Sequence, residues 1–182
     1  MATSTSADPA ARAHAGPLIS SRLVHAGFFA LRIYVGLVFF SNGLAKALNR
    51  QNTTWGPLSF SLITRGSAHD IAQSAAGHSH IAGLSAFYRT TVIPHWGFFG
   101  VFLTVAELAV GVALLVGILT RVASIGGLLL IAPIWVMLWH TGDYLWAYPA
   151  DLAPLVLLAV IPTGRILGLD GPLHRRIPHW PF

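Results

Sequence analysis

Two ionisable side chains interrupt long apolar runs in this sequence: Arg32, between Leu23 and Lys46, and Glu107, between His95 and Leu119. A charge deep in an apolar helix costs a few kcal/mol unless it is turned inward and paired, so it marks either a fixed ion pair or a site. Arg32 lies 10 residues beyond Arg22, and Glu107 lies 11 beyond Trp96. On helical rise these are similar depths, about 15 and 16 Å, so the two charges are expected to meet. On helical spacing His25, Arg32, Gly36, Phe39, Gly43, Lys46 and Arg50 share one stripe of about 40°. Trp96, Gly100, Thr104, Glu107, Gly111, Ile118 and Arg121 form a second. Glycines beside each charge permit close approach, so the stripes are expected to face each other. The alternative to a site is an ion pair that fixes helix register and does no chemistry.

A second polar cluster falls near the other end of these runs. Lys46 and Arg50 close the first run, His140 and Asp143 close the third, and Asp151 opens a fourth. With Trp139 they would make an aromatic pocket with a titratable wall beside lipid, which is what a quinone headgroup needs for hydrogen bonding and proton exchange. Arg32, Lys46 or His140 would donate hydrogen bonds, and Glu107, His140 or Asp151 would relay protons. The expected catalytic residues are therefore Glu107, His140 and Asp151, and the expected cofactor-binding residues are Arg32, Lys46 and Trp139. Simpler roles exist for two of them: Asp151 before Leu152-Ala153-Pro154 suits a helix N-cap, and His140 suits the membrane interface.

Other chemistry is excluded by composition. The chain has no cysteine, which removes disulfides, thiolate metal sites and cysteine nucleophiles. It carries no nucleotide-binding glycine fingerprint and no H-E-x-x-H, so neither flavin nor metal is expected in this chain. His69, Asp70, His78, His80 and His95 include an H-x-H, but that spacing lacks helical i, i+4 geometry and reads as a solvated loop. Gly164 to Gly168 spells G-x-x-x-G, a poor association motif beside Arg165 and Pro162.

These residues are carried by membrane spans. Charged residues are 9% of the 182, against about 25% in soluble domains, while 54% are hydrophobic and the mean hydropathy is +0.66. The net charge of +5 comes from scattered arginines and a single lysine, with no basic stripe for nucleic acid. The fold expected is all-α: a polytopic membrane protein with a four-helix transmembrane bundle. Its membrane domain covers residues 22–171, with spans at about 23–46, 95–119, 122–140 and 151–168. A large outer loop at 47–93 carries short amphipathic helices at most. A small, polar tail is expected at 1–21 and another tail at 172–182. No internal repeat is visible. Arg12, Arg22, Arg121, Arg165, Arg175 and Arg176 share the side of the termini, so both termini are expected to be cytoplasmic. Trp55, Trp96, Trp139, Tyr144, Trp146 and Tyr148 would then form an outer aromatic belt.

Taken in order, Leu31-Arg32, Gly36, Phe40, Gly43 and Lys46, then Glu107 and Gly111, then Gly117-Ile118-Leu119-Thr120-Arg121, and finally Pro162-Thr163-Gly164-Arg165 with Leu169-Asp170, resemble the DoxX/DoxD family of small four-helix membrane proteins. The long loop with Trp55 is more similar to the DoxD branch, the small subunit of thiosulfate:quinone oxidoreductase. The resemblance implies a multi-pass subunit of a prokaryotic inner membrane that links a redox partner to the quinone pool. It marks Arg32, Lys46, Glu107 and Arg121 as pattern positions. Two functional classes follow: an oxidoreductase subunit with a quinone site, or a non-catalytic anchor or assembly scaffold of a larger respiratory-type complex. A transporter is disfavoured by the lack of duplicated halves. Expected partners are lipids and other subunits of a membrane complex, docked through loop 47–93.

Overall fold

The computed structural model describes residues 21–142 and 147–177. The expected tail up to residue 20, the tip at Asp143, the aromatics Tyr144 and Trp146, and the side chains of Trp55, Tyr148 and Asp151 lie outside the described residues. The architecture is that of an all-α membrane protein. Helix α1 (Ser21–Leu48) is followed by a hairpin of β1 (Asn52–Trp55) and β2 (Leu58–Ser61), then by α2 (Arg65–His78) and α3 (Ala82–Phe87), which runs into a π-helical turn at Tyr88–Val92. Next come α4 (Trp96–Val116), α5 (Thr120–Leu138), α6 (Ala147–Val160), a 3-10 turn at Thr163–Arg165 and α7 (Asp170–Arg176).

Three helices, α1, α4 and α5, are long and apolar enough to cross a membrane. Helix α6 differs from the span expected at 151–168. It starts four residues earlier and stops at Val160, because Pro162 cannot continue it. Its 14 residues reach about 21 Å. Asp151 therefore sits within α6 and not at its N-cap. Residues 170–176, assigned in part to a tail, form α7. Loop 47–93 is folded over most of its length.

Helices α1 and α4 pack antiparallel through their glycines. A Cβ on Gly111 would lie 2.5 Å from the Phe40 backbone nitrogen, one on Gly43 would lie 2.9 Å from the Leu108 nitrogen, and one on Gly36 would lie 3.1 Å from the Leu115 nitrogen. The expected stripes do face each other. With backbone as the obstacle, Gly111→Ala should lower the melting temperature in detergent. The same change at Gly83, where a Cβ meets nothing, should leave it unchanged or higher. Equal melting temperatures for the two variants would refute this account of the helix contact.

Helices α1, α4, α5 and α6 share an inner core of Val35, Phe39, Val110, Leu114, Ala123, Leu155 and Leu158. A second, outer cluster joins Ala75 and Ala76 of α2 to Met137 of α5, with Leu84, Tyr88, Ile93, Ile134 and Leu138 around it. So α2 and α3 lie as a cap over one end of the bundle. Ser85 and Arg89 fasten the cap by donating to the Ala76 carbonyl, at 2.6 Å from Ser85 Oγ and 2.8 Å from Arg89 Nη2. Pro133 stands inside α5, between the two clusters.

Candidate functional site

Between the inner core and the outer cap lies a cavity of about 450 Å³. Its walls are Val38, Phe39, Asn42 and Lys46 from α1, Phe99, Phe102, Leu103 and Glu107 from α4, and Leu129 to Ile131 with Ile134 and Trp135 from α5. Ala68, Ile71 and Ala72 of α2 and Phe87, Tyr88 and Val92 roof it. The lining is apolar except at a few points, and one of these is charged. Lys46 Nζ lies 2.8 Å from Glu107 Oε2, with the lysine almost fully buried and the carboxylate largely so. Phe102 and Leu129 line the cavity and are also exposed on the outside of α4 and α5, so the cavity reaches the surface that faces lipid.

The remaining polar groups of the wall are held in place. Asn42 donates to the Val38 carbonyl at 2.9 Å and accepts from the Ile63 backbone N–H at 3.0 Å, tying the chain after the hairpin to α1. Trp96, also in the wall, donates its indole N–H to the Arg65 carbonyl at 3.2 Å. Burial pushes the Tyr88 phenol up from its ordinary value, so it stays a neutral O–H at physiological pH.

Of the five expected site residues whose side chains are described, the structure brings two into this cavity, Lys46 and Glu107. Arg32 is elsewhere, and the expected Arg32–Glu107 pair is not formed. Since Phe40 meets Gly111 and Gly43 meets Leu108, Glu107 is level with Leu44, twelve residues and about 18 Å along α1 from Arg32. Arg22 and Trp96 are not matching reference points: α1 begins well beyond the level at which α4 ends, Val116, so equal distances from them do not mean equal levels. Trp139 and His140 are exposed at the end of α5 and do not line the cavity. The His140 ring packs on His80, with centroids 3.7 Å apart. His78 and His95 each turn Nδ1 to a carbonyl of their own turn, Ser74 and Thr91. Among the described residues no group of three or more His, Cys, Asp or Glu is placed to hold a metal.

Sequence reasoning missed Asn42, Tyr88, Trp96 and Trp135 as cavity wall. Phe39, Asn42 and Lys46 are spaced i, i+3, i+7, a helical face that was available to be read. Tyr88 had no such signal, because only the folded loop brings it over the bundle.

Arg32 and the last pattern positions build a second polar site at the opposite end. The fully buried Arg32 guanidinium donates to three carbonyls: Thr163 at 3.0 Å, Ile166 at 3.1 Å and Leu167 at 3.1 Å. The Asp170 carboxylate accepts from the backbone N–H of Leu119 at 2.6 Å and of Thr120 at 3.0 Å, capping α5 from a distant part of the chain. Arg121 in turn donates to the carbonyls of Ala159 and Val160 at the end of α6. Leu119 and Leu167 both have φ of 50°, a left-handed backbone that leucine adopts at a cost, and Asp170 and Arg32 hold one each. A Cβ on Gly164 would collide with the Asp170 carboxylate and the Thr120 hydroxyl, so the glycines of the G-x-x-x-G serve this knot. This end of the molecule locks the fold.

The family model for DoxX matches residues 27–140. The chain belongs to the DoxX family. The match takes in the whole α1–α4 contact, the cap and all of the cavity wall, and stops before the Pro162 to Asp170 part of the knot. No curated protein and no solved structure matches the chain. DoxX membership and three apolar helices make it a multi-pass membrane protein in contact with lipid.

Proposed function

We propose that this DoxX protein is the membrane subunit of an oxidoreductase complex that passes electrons to the quinone pool, and that the quinone headgroup binds in the capped cavity. The observation that carries the reading is a buried ion pair, Lys46–Glu107, set in the wall of an otherwise apolar cavity that opens to lipid. A volume of about 450 Å³ falls in the range of small-molecule sites, about 300–1,000 Å³. A fixed pair without a site would be packed on all sides by apolar groups, whereas this one borders open space.

A bound quinone supplies an acceptor of electrons and protons. Lys46 has three N–H donors and turns to a carbonyl oxygen those that Glu107 does not take. Glu107 beside it holds or passes a proton, and Tyr88 offers a neutral O–H from the roof. Phe99, Phe102 and Trp135 flank the ring and keep water out. The electron donor belongs to a partner subunit on the outer side, and the similarity to the DoxD branch suggests thiosulfate as the substrate oxidised there. In this reading the chain is a prokaryotic inner-membrane protein with a fourth span at α6 and cytoplasmic termini. The basic end with Arg121, Arg165, Arg175 and Arg176 faces the cytoplasm.

Trp96 and Trp135 report on the site, because quinones quench indole fluorescence. A short-chain quinone analogue should quench the wild-type protein saturably. Binding should weaken by about tenfold or more in the charge-free double variant Lys46→Gln/Glu107→Gln, which loses a charged donor. It should be blocked in Ala72→Phe, which fills the roof. Unchanged binding in both folded variants would defeat the site. Unchanged quinone reduction by an intact complex that carries them would leave the chain a scaffold.

A further inference from the structure

The hairpin β1–β2 sorts its side chains by face. Its register pairs Asn52 with Ser61, Thr53 with Phe60, Thr54 with Ser59 and Trp55 with Leu58. Paired residues share a face and alternate along a strand, so Asn52, Thr54, Ser59 and Ser61 make a polar face, and Thr53, Phe60 and Leu58 lie on the other. Leu58 is 56% and Phe60 47% exposed. A two-stranded hairpin is at best marginally stable in water without something against its apolar face. Within the described chain this face is left about half open.

Two further observations say what covers the rest. The first is level. With Phe40 on Gly111 and Gly43 on Leu108, the end of α1 at Leu48 is level with Leu103, about 10 Å short of the outer end of α4 at Trp96. The hairpin begins four residues later, at Asn52, so it starts at the height of the stretch of α4 that exposes Phe98, Val101 and Phe102. The second is charge. Residues 51–64 contain no charged side chain, and the segment is bracketed by Arg50 and Arg65, both exposed. The Arg65 stem lies over Gly100, at the level of the same aromatic stretch. An uncharged, two-faced hairpin between two arginines at this height matches a lipid surface: apolar side chains in the acyl boundary, guanidinium groups at the phosphates.

We propose that the β1–β2 hairpin is a membrane-interface anchor. It lies on the outer leaflet with Leu58 and Phe60 inserted and with Arg50 and Arg65 at lipid phosphates. It holds the chain between α1 and the cap, because Asn42 fixes the segment just after it at Ile63. The anchor is independent of what the cavity binds.

The cysteine-free chain makes the test direct. The full chain, with single substitutions Leu58→Cys, Phe60→Cys or Ser59→Cys labelled by an environment-sensitive fluorophore, is reconstituted without other proteins. The vesicles are phosphatidylethanolamine and phosphatidylglycerol with a nitroxide at a shallow acyl position. Labels at 58 and 60 should be blue-shifted, quenched by the nitroxide lipid and severalfold less accessible to aqueous iodide than the label at 59. Thr53→Cys gives a second position on the same face should Phe60→Cys fail to fold. Equal iodide access at all positions overturns the anchor. Shielding at 58 and 60 from both quenchers also overturns it, because it means that a second copy of the chain covers the face.

Discussion

Lys46→Gln alone is expected to cost the folded protein about 3–5 kcal/mol, the range for leaving one member of a buried ion pair without its partner. Glu107 would then face an apolar cavity with no cation within reach among the described residues that line it. Glu107→Gln alone should cost less, since the lysine's long stem lets the ammonium seek water. The double variant should recover a large part of the loss, because it leaves no charge unpaired. A double-mutant cycle by thermal or denaturant unfolding in a fixed detergent measures this coupling, expected at more than about 1 kcal/mol for groups in contact. The same cycle run on Arg32 and Glu107 should be additive within about 0.5 kcal/mol, because those residues are far apart. Additivity for Lys46 and Glu107, or strong coupling for Arg32 and Glu107, would contradict the helix register.

Asp170→Ala is the other large effect. It removes two hydrogen bonds from a carboxylate to the first N–H groups of α5 and releases the left-handed backbone of Leu119 that the carboxylate holds. At about 1.5–3 kcal/mol for each hydrogen bond to a charged group, the loss should be about 3–6 kcal/mol. Asp170→Asn, which keeps an acceptor oxygen for one of the two N–H groups, should lose about half as much. Proteolysis of the α4–α5 turn should rise along with the drop in melting temperature. Asp170→Ala with a wild-type melting temperature would show that the knot does not lock the fold. Neither variant should alter quinone-analogue binding by protein that remains folded, since the knot and the cavity are at opposite ends.

The class of the fold was legible because 20-residue apolar runs need no tertiary information to be recognised, and the faces of α1 and α4 were legible because helical periodicity fixes the angle of each residue about the axis. Translation along the axis was not legible. A stripe looks the same when it slides, and what sets the slide is the fit of Gly111 against Phe40 and of Gly43 against Leu108, which only the packed pair reveals. This single quantity decided which basic residue Glu107 meets. Lys46 reads as a ligand group and Glu107 as a proton carrier, but nothing in the spacing shows that they touch. The roof was not legible for another reason: in the Ser- and Gly-rich stretch 66–86, α2 buries only alanines at 68, 72, 75 and 76, too small to give a strong apolar period. Asp170 stands out in the sequence only as a pattern position, since its partners are fifty residues away.

Pro133 gives the two ends of this molecule different stiffness. Proline has no N–H to offer the carbonyl four residues earlier, that of Leu129, so α5 lacks one rung in the stretch from Leu129 to Trp135 that walls the cavity. A helix bends most cheaply where a rung is missing. The far end cannot follow, since Asp170, Arg121 and Arg32 clamp it through backbone groups. Force applied to the cap is therefore absorbed as a change in cavity width above Pro133, while the inner third of the bundle keeps its shape, as a clothes peg opens at the jaws and not at the spring.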